Sequence, residues 1–149
     1  MENKFIYLDN CSTSQLSMNV LNKINYHYQK YWANPSSTHD LGIKCSEKLE
    51  RIRNKIALIF NTTSEDIVFT SGSTESTEIV FRNIAEKFST GKICISSIEH
   101  QATKVAANHL KLKGWEIIKL PVDHKGKIKM YEFNDLVNKD VKLLSCIWG

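Results

Sequence analysis

The run Thr70-Ser71-Gly72-Ser73-Thr74-Glu75-Ser76 concentrates groups that can hold an anion. It follows Ile67-Val68-Phe69-Thr70, whose β-branched and aromatic side chains predict a buried strand. Gly72 suits a tight turn, and Ser73-Thr74 open an amphipathic helix with Ile79, Phe81, Ile84 and Phe88 toward a core. A strand, a glycine turn and a helix start bring together free backbone N–H groups and the positive end of the helix dipole. The hydroxyls of Ser71, Ser73 and Thr74 add further donors. The run has neither the Gly-Lys-Ser/Thr of a P-loop nor a Gly-x-Gly-x-x-Gly. Two readings stand side by side: a phosphate cradle, or an ordinary capped helix with Ser71 as N-cap and Glu75 and Glu78 complementing the dipole.

The elements around this run alternate between helical and extended patterns. After a short extended stretch at Phe5-Ile6-Tyr7-Leu8, Ser17 is the expected N-cap of a helix with Leu21, Ile24, Tyr28 and Tyr31 on one face. Asn34-Pro35 ends it, and a second helix is expected after Gly42, with a stripe of Cys45, Leu49, Ile52, Ile56 and Ile59 and a Glu47–Arg51 pair opposite. Strands are predicted at Lys92–Ser97, Trp115–Leu120 and Lys142–Trp148. Helices are predicted from Glu99-His100 to Lys113, with Ala102, Val105, Ala106 and Leu110 inward, and over Met130–Asn138. Gly114 is the expected C′ glycine, and Lys125, Lys127 and Lys129 flank Gly126 in a loop or hairpin. Strands alternating with helices indicate an α/β fold with a parallel sheet and helices on its faces. The last strand runs out at Trp148-Gly149 without the loop that carries functional residues in such sheets, so the chain reads as part of something longer.

Composition excludes several classes. The chain of 149 residues is 42% hydrophobic and 24% charged, ordinary for a globular protein. Its formal net charge of +4 is spread over scattered lysines with only three arginines, so no nucleic-acid partner is expected. The four cysteines (Cys11, Cys45, Cys94 and Cys146) are far apart and form no C-x-x-C pair. Cys94 and Cys146 sit in apolar strand runs as small hydrophobes, which fits a reducing, cytoplasmic setting. No apolar leader or membrane-length run is present, and no His, Cys, Asp and Glu grouping has structural-zinc spacing.

Several separated motifs together resemble the cysteine desulfurases of the class V aminotransferase-like, pyridoxal-phosphate-dependent group. Tyr7-Leu8-Asp9-Asn10 with Thr13-Ser14 is similar to that family's opening Tyr-Leu-Asp-Asn-Ala-Ala-Thr-Thr. Asn34-Pro35-Ser36-Ser37 with His39 and Gly42 resembles its Asn-Pro-Ser-Ser-x-His-x-x-Gly loop, and Phe69 to Ser76 its Phe-Thr-Ser-Gly-x-Thr-Glu-Ser. Ile98-Glu99-His100 and Leu120-Pro121-Val122-Asp123 with Gly126 resemble two later motifs. Order and spacing agree along nearly the whole chain. Cys11-Ser12 in place of paired alanines, Ser14-Gln15 in place of Thr-Pro, and Glu78 in place of a frequent asparagine are departures that bear on substrate preference.

The resemblance implies the incomplete large domain of a type I, aspartate aminotransferase-like pyridoxal-phosphate enzyme. Residues 1–15 would lead in near the active site, residues 16–149 would form part of the cofactor-binding domain, and the carboxyl half would be absent. Ser73 and Thr74 would bind the cofactor's phosphate, and His100 would lie against its ring. His39, with Asn34, shapes its loop; His27, His109 and His124 match nothing and are surface or packing residues. Beyond Gly149 the family would supply an Asn-Asn-Glu motif, the aspartate for the pyridine nitrogen, the Schiff-base lysine, a substrate-binding arginine and the persulfide cysteine. No residue here is assigned a catalytic role. The complete enzyme would be a homodimer turning L-cysteine into L-alanine and a persulfide that feeds an iron–sulfur scaffold or tRNA thiolation. The other readings are a non-catalytic or split-gene partner protein and another class V enzyme, such as a selenocysteine lyase or aminotransferase.

Overall fold

The computed structural model describes residues 6–148, and the chain divides into two compact units, Met1–Val68 and Phe69–Gly149. In the first, residues 6–8 are irregular and exposed where an extended stretch is predicted, and Phe5 of that stretch lies outside the described residues. Helix α1 spans Met18–Lys30; Ser17 caps it as the sequence suggests, its Oγ accepting from Val20 N–H at 3.4 Å. Helix α2 spans Asp40–Ile59 and begins ahead of Gly42, not after it, because His39 is the N-cap, its Nδ1 accepting from Gly42 N–H at 3.2 Å. Gly42 is needed for close approach: a Cβ there would lie 2.8 Å from Ser37 Cβ and 2.9 Å from Asn34 O.

The apolar stripe of α2 is only partly satisfied. Cys45 and Ala57 are buried, whereas Leu58, Ile59 and Phe60 are exposed. The ion pair on this helix joins Glu50 to Arg53 at 3.0 Å in place of the expected Glu47–Arg51. Arg53 also donates from Nη1 to the carbonyl of Ile67, tying the end of the unit back to α2. Between them, a 3-10 turn at Ser64–Asp66 is closed by the Asp66 carboxylate, which accepts from the Thr63 N–H and from the Thr62 and Thr63 hydroxyls. Those bonds hold the Asp66 carboxyl below its ordinary pKa.

The second unit carries the sheet. Helix α3 (Ser73–Lys87) is followed by β1 (Lys92–Ser96), α4 (Gln101–Leu112), β2 (Glu116–Leu120), α5 (Met130–Leu136) and β3 (Val141–Ser145). The three strands are parallel in the order β2-β1-β3, with Cys94 opposite Ile118 on one side and Leu144 on the other. Phe81 of α3 and Ala106, Ala107 and Leu110 of α4 pack on Ile93 and Ile95 of the central strand, with Trp115 closing the cluster. Alternation along β1 explains the choice: Ile93 and Ile95 point to the α3–α4 layer, while Cys94 and Ser96 point the other way. Burying a side chain of the size of Phe81 contributes about 2–3 kcal/mol. Because β1→β2 and β2→β3 step across the sheet in opposite directions, right-handed crossovers put α4 and α5 on opposite faces.

Three expectations are corrected here. Ile67–Thr70 is not a strand: the segment is irregular, and Val68 and Phe69 are exposed. β-branched residues favour a pleated surface only where a neighbouring strand supplies hydrogen bonds, and the β2-β1-β3 sheet does not take in this segment. On α4, Val105 is exposed, and Thr103 and Ala107 are buried with Ala106 and Leu110. β3 ends at Ser145, so Cys146 lies past the strand and is exposed, while Cys94 is fully buried as expected.

Candidate functional site

Sequence places the hydroxyl-rich run at the start of α3, and topology decides which edge of the sheet it faces. Helix α3 ends at Lys87, and residues 88–91 lead directly into the amino end of β1. The helix therefore runs antiparallel to the strand. Its 15 residues extend ~22 Å, more than the ~16 Å of a five-residue strand, so its N-terminus reaches the carboxyl edge of the sheet. Residues 97–100 leave β1 at that same edge. Ser73, Thr74 and His100 thus lie at the carboxyl edge, where ligands sit in open α/β sheets.

The start of α3 is built from local hydrogen bonds. The N-cap is Gly72, not Ser71, with φ 159° and ψ −177°, a backbone region at the limit of what side chains other than glycine's tolerate. A Cβ there would meet nothing within 4 Å, so the glycine leaves open space. The first intrahelical bond runs from Ser76 N–H to Gly72 O at 3.1 Å, which leaves the amides of Ser73, Thr74 and Glu75 ahead of it, unpaired by the helix. Thr70 Oγ1 and Ser76 Oγ lie 2.9 Å apart and each lies 3.2 Å from Gly72 O, so one hydroxyl donates to the other and the second to the carbonyl, which fixes the turn. The Glu75 carboxylate accepts from Ser71 N–H at 2.6 Å; this bond and a weaker one to the Ser71 hydroxyl hold its carboxyl below the ordinary value. Glu75 therefore occupies the amide of Ser71, not those of the first helical turn.

Ser73 and Thr74 are exposed, and their hydroxyls have no hydrogen-bond partner among the described residues. Three amides, two hydroxyls and a helix N-terminus fit a phosphate monoester. His100 is the N-cap of α4: its Nδ1 accepts from Ala102 N–H at 3.2 Å, so the neutral ring carries its proton on Nε2. The remainder of the ring is exposed. Donors for a phosphate and an exposed aromatic face at one sheet edge suit a phosphorylated aromatic cofactor such as pyridoxal phosphate.

Two features escaped the sequence reading. One is the back-bond from Glu75 to Ser71, hidden because Ser71 looked like the N-cap. The other is the contact of Ser96 Oγ, donating to Glu99 Oε1 at 3.2 Å, with both residues nearly fully buried. Its signal was present: Ser96-Ser97-Ile98-Glu99 has the serine-to-glutamate spacing of a capping box. His39 caps α2 with the Asn34–Ser37 turn packed behind Gly42, which is the loop-shaping role expected of it. His27 stacks near Tyr26 and Tyr31, with a buried Nδ1 that lacks a partner. No group of three or more metal-ligating side chains occurs among the described residues, and no described helix is long and apolar enough to cross a membrane.

Comparison with known proteins agrees with the motif reading. Residues 6–149 match the model of the Aminotransferase class-V family. The chain is 33% identical over 142 residues to a NifS/IcsS protein homolog of Lactobacillus delbrueckii subsp. bulgaricus, covering 94% of this chain and 37% of that protein. It is 34% identical to the cysteine desulfurase IscS of Dictyoglomus turgidum, covering 94% and 36%. Among solved structures, a NifS-like protein superposes with a TM-score of 0.86 at 32% identity, over 92% of this chain and 38% of that one. The chain thus spans a little over a third of the length of the relatives it matches. Matched over nearly its whole length and sharing the α/β architecture of NifS-like proteins, the chain belongs to the aminotransferase class-V family, within which it is similar to the cysteine desulfurases.

Proposed function

We propose that this chain supplies the phosphate cradle and the ring-facing histidine of a pyridoxal-phosphate-dependent cysteine desulfurase. The observation that carries the reading is the unpaired first turn of α3, with Ser73 and Thr74 at the same sheet edge as His100. The amides of Ser73, Thr74 and Glu75 and the two hydroxyls hold the phosphate; the helix dipole adds attraction for its charge. His100, its ring oriented by Ala102 N–H, covers one face of the pyridine and holds a proton at Nε2 on that side. When bound, the cofactor withdraws electrons from the amino acid's α-carbon.

In this reading the substrate is L-cysteine, the products are L-alanine and a protein persulfide, and the complete enzyme is a cytoplasmic homodimer serving an iron–sulfur scaffold or tRNA thiolation. The similarity to cysteine desulfurases over 94% of the chain supports it, as do four cysteines without disulfides. In this reading the chain is the amino-terminal part of the enzyme's cofactor-binding domain. On the same reading no lysine of the 149 residues forms the Schiff base and none of the four cysteines carries the persulfide, so the cofactor is held here by non-covalent contacts.

The test is to incubate the chain with pyridoxal phosphate, reduce with borohydride and locate modified lysines by mass spectrometry. Weak labelling scattered over several lysines, together with reversible binding competed by inorganic phosphate, is expected. Stoichiometric labelling of one lysine, or binding indifferent to phosphate, would overturn the proposal.

A further inference from the structure

The motif that supplies His100 contains a second residue with no part in the proposed chemistry. Glu99 is 5% exposed, and its neighbour across the turn, Ser96, is 2% exposed. A buried carboxyl group is unfavourable unless hydrogen-bonded, so its retention at this place calls for a partner. Ser96 Oγ is that partner, at 3.2 Å from Glu99 Oε1. The backbone closes the same turn: Glu99 N–H donates to Ser96 O at 3.3 Å, and Ser97 N–H donates to Leu120 O at 2.9 Å, extending the β1–β2 ladder by one residue. The segment from the end of β1 to Glu99 is therefore held at three points, and His100 follows without an intervening residue. His100 in turn starts α4, with Lys104 N–H bonded to its carbonyl at 3.2 Å.

We propose that Glu99 is a positioning residue for His100. The buried Ser96–Glu99 bond sets the backbone at the mouth of β1, so that the His100 imidazole is held with Nδ1 on Ala102 N–H and its Nε2 side open at the sheet edge. Glu99 does not touch the ligand; it acts through the turn. After desolvation, the charge of Glu99 is the second cause that raises the Cys146 thiol above its ordinary pKa. The value of this arrangement for cofactor binding rests on the function proposed above; the orientation of His100 does not.

The experiment reads the imidazole directly. Protein labelled with nitrogen-15 is compared by long-range proton–nitrogen correlation in wild type, Glu99→Gln, Glu99→Ala and Ser96→Ala, with His100→Gln used to assign the signal. His39, which caps α2 through the same Nδ1 contact, is an internal control. In wild type, His100 is expected as the Nε2–H tautomer in at least roughly tenfold excess, as its capping bond requires. Glu99→Gln, which can still meet Ser96 Oγ, is expected to keep that tautomer. Glu99→Ala and Ser96→Ala are expected to bring the two tautomers to within about threefold of each other while His39 is unchanged. An unchanged His100 tautomer in a folded Glu99→Ala or Ser96→Ala protein overturns the proposal; if Glu99→Ala does not fold, Ser96→Ala decides. Pyridoxine phosphate affinity, measured on the same samples, separates the two readings. Failure of the wild type to bind refutes the cofactor site, while the tautomer comparison still judges Glu99.

Discussion

Replacing Thr74 by alanine removes one hydroxyl from the first turn of α3 and leaves its amide in place. That hydroxyl has no partner within the described protein, so the unliganded fold loses no hydrogen bond. Thr74 is also exposed, so no cavity opens. Stability should therefore stay within about 0.5 kcal/mol of the parent. Toward a phosphate the balance differs, because a hydrogen bond to a charged group contributes about 1.5–3 kcal/mol. Exposure at the helix start favours the lower end, which corresponds to roughly a tenfold loss of affinity. Thr74→Ser keeps the hydroxyl and should lose less than about threefold. Ser73→Pro is the complementary change. Proline suits the first helical position, so α3 is retained while one amide and one hydroxyl disappear, and the loss should exceed that of Thr74→Ala. Isothermal titration with pyridoxine phosphate, beside circular dichroism and a thermal melt, provides the readout. Equal affinity in wild type, Thr74→Ala and Ser73→Pro would refute the cradle.

Three further outcomes follow from the same geometry. The Glu75 carboxyl is held below its ordinary value of 4.5 by Ser71, so its contribution to ordering the turn is complete above that value. As pH falls through the lower folded value, that contribution is lost; the Ser71 amide shift should titrate with a midpoint under 4.5 and not in Glu75→Gln. Burial raises the Cys94 thiol above its ordinary value and shields it, so at pH 7.5 iodoacetamide should label exposed Cys11 and Cys146 before Cys94; early Cys94 labelling would contradict the packing of β1. Leu58, Ile59 and Phe60 at the end of α2 are 72–79% exposed, and Tyr131 and Trp148 more so. The 149 residues alone should bind a hydrophobic dye and self-associate in light scattering, whereas a cooperative melt of a dye-free monomer would show a self-sufficient domain.

Much of this was legible because the signals were local. Ser17 capping α1, Gly114 ending α4 with φ 92°, and the Lys125–Lys129 hairpin held by Asp123 Oδ1 all follow from the chemistry of a few neighbouring residues. The apolar run Ile93-Cys94-Ile95 marked a buried strand for the same reason. What was misread depended on partners distant in sequence. Ile67–Thr70 has the residues of a strand but is not taken into the sheet, and the stripe of α2 has the period of a buried helix but is only partly covered. The candidate site divides in the same way. Ser73 and Thr74 were evident from helix-start chemistry, and His100 needed the motif. The Ser96–Glu99 spacing was there to be read, but the burial of these two side chains became visible only in the fold.

The central claim is that the first turn of α3 and the ring of His100 form one binding surface for a phosphorylated pyridine. Titrating nitrogen-15-labelled protein with pyridoxine phosphate, which lacks the aldehyde that would react with lysines, tests it most directly. The amides of Ser73, Thr74 and Glu75 and the His100 ring should shift together along one saturable curve, and inorganic phosphate should move the three amides without the ring. Shifts confined to scattered lysine-rich surface, or amide and ring shifts that saturate at different concentrations, would contradict the account.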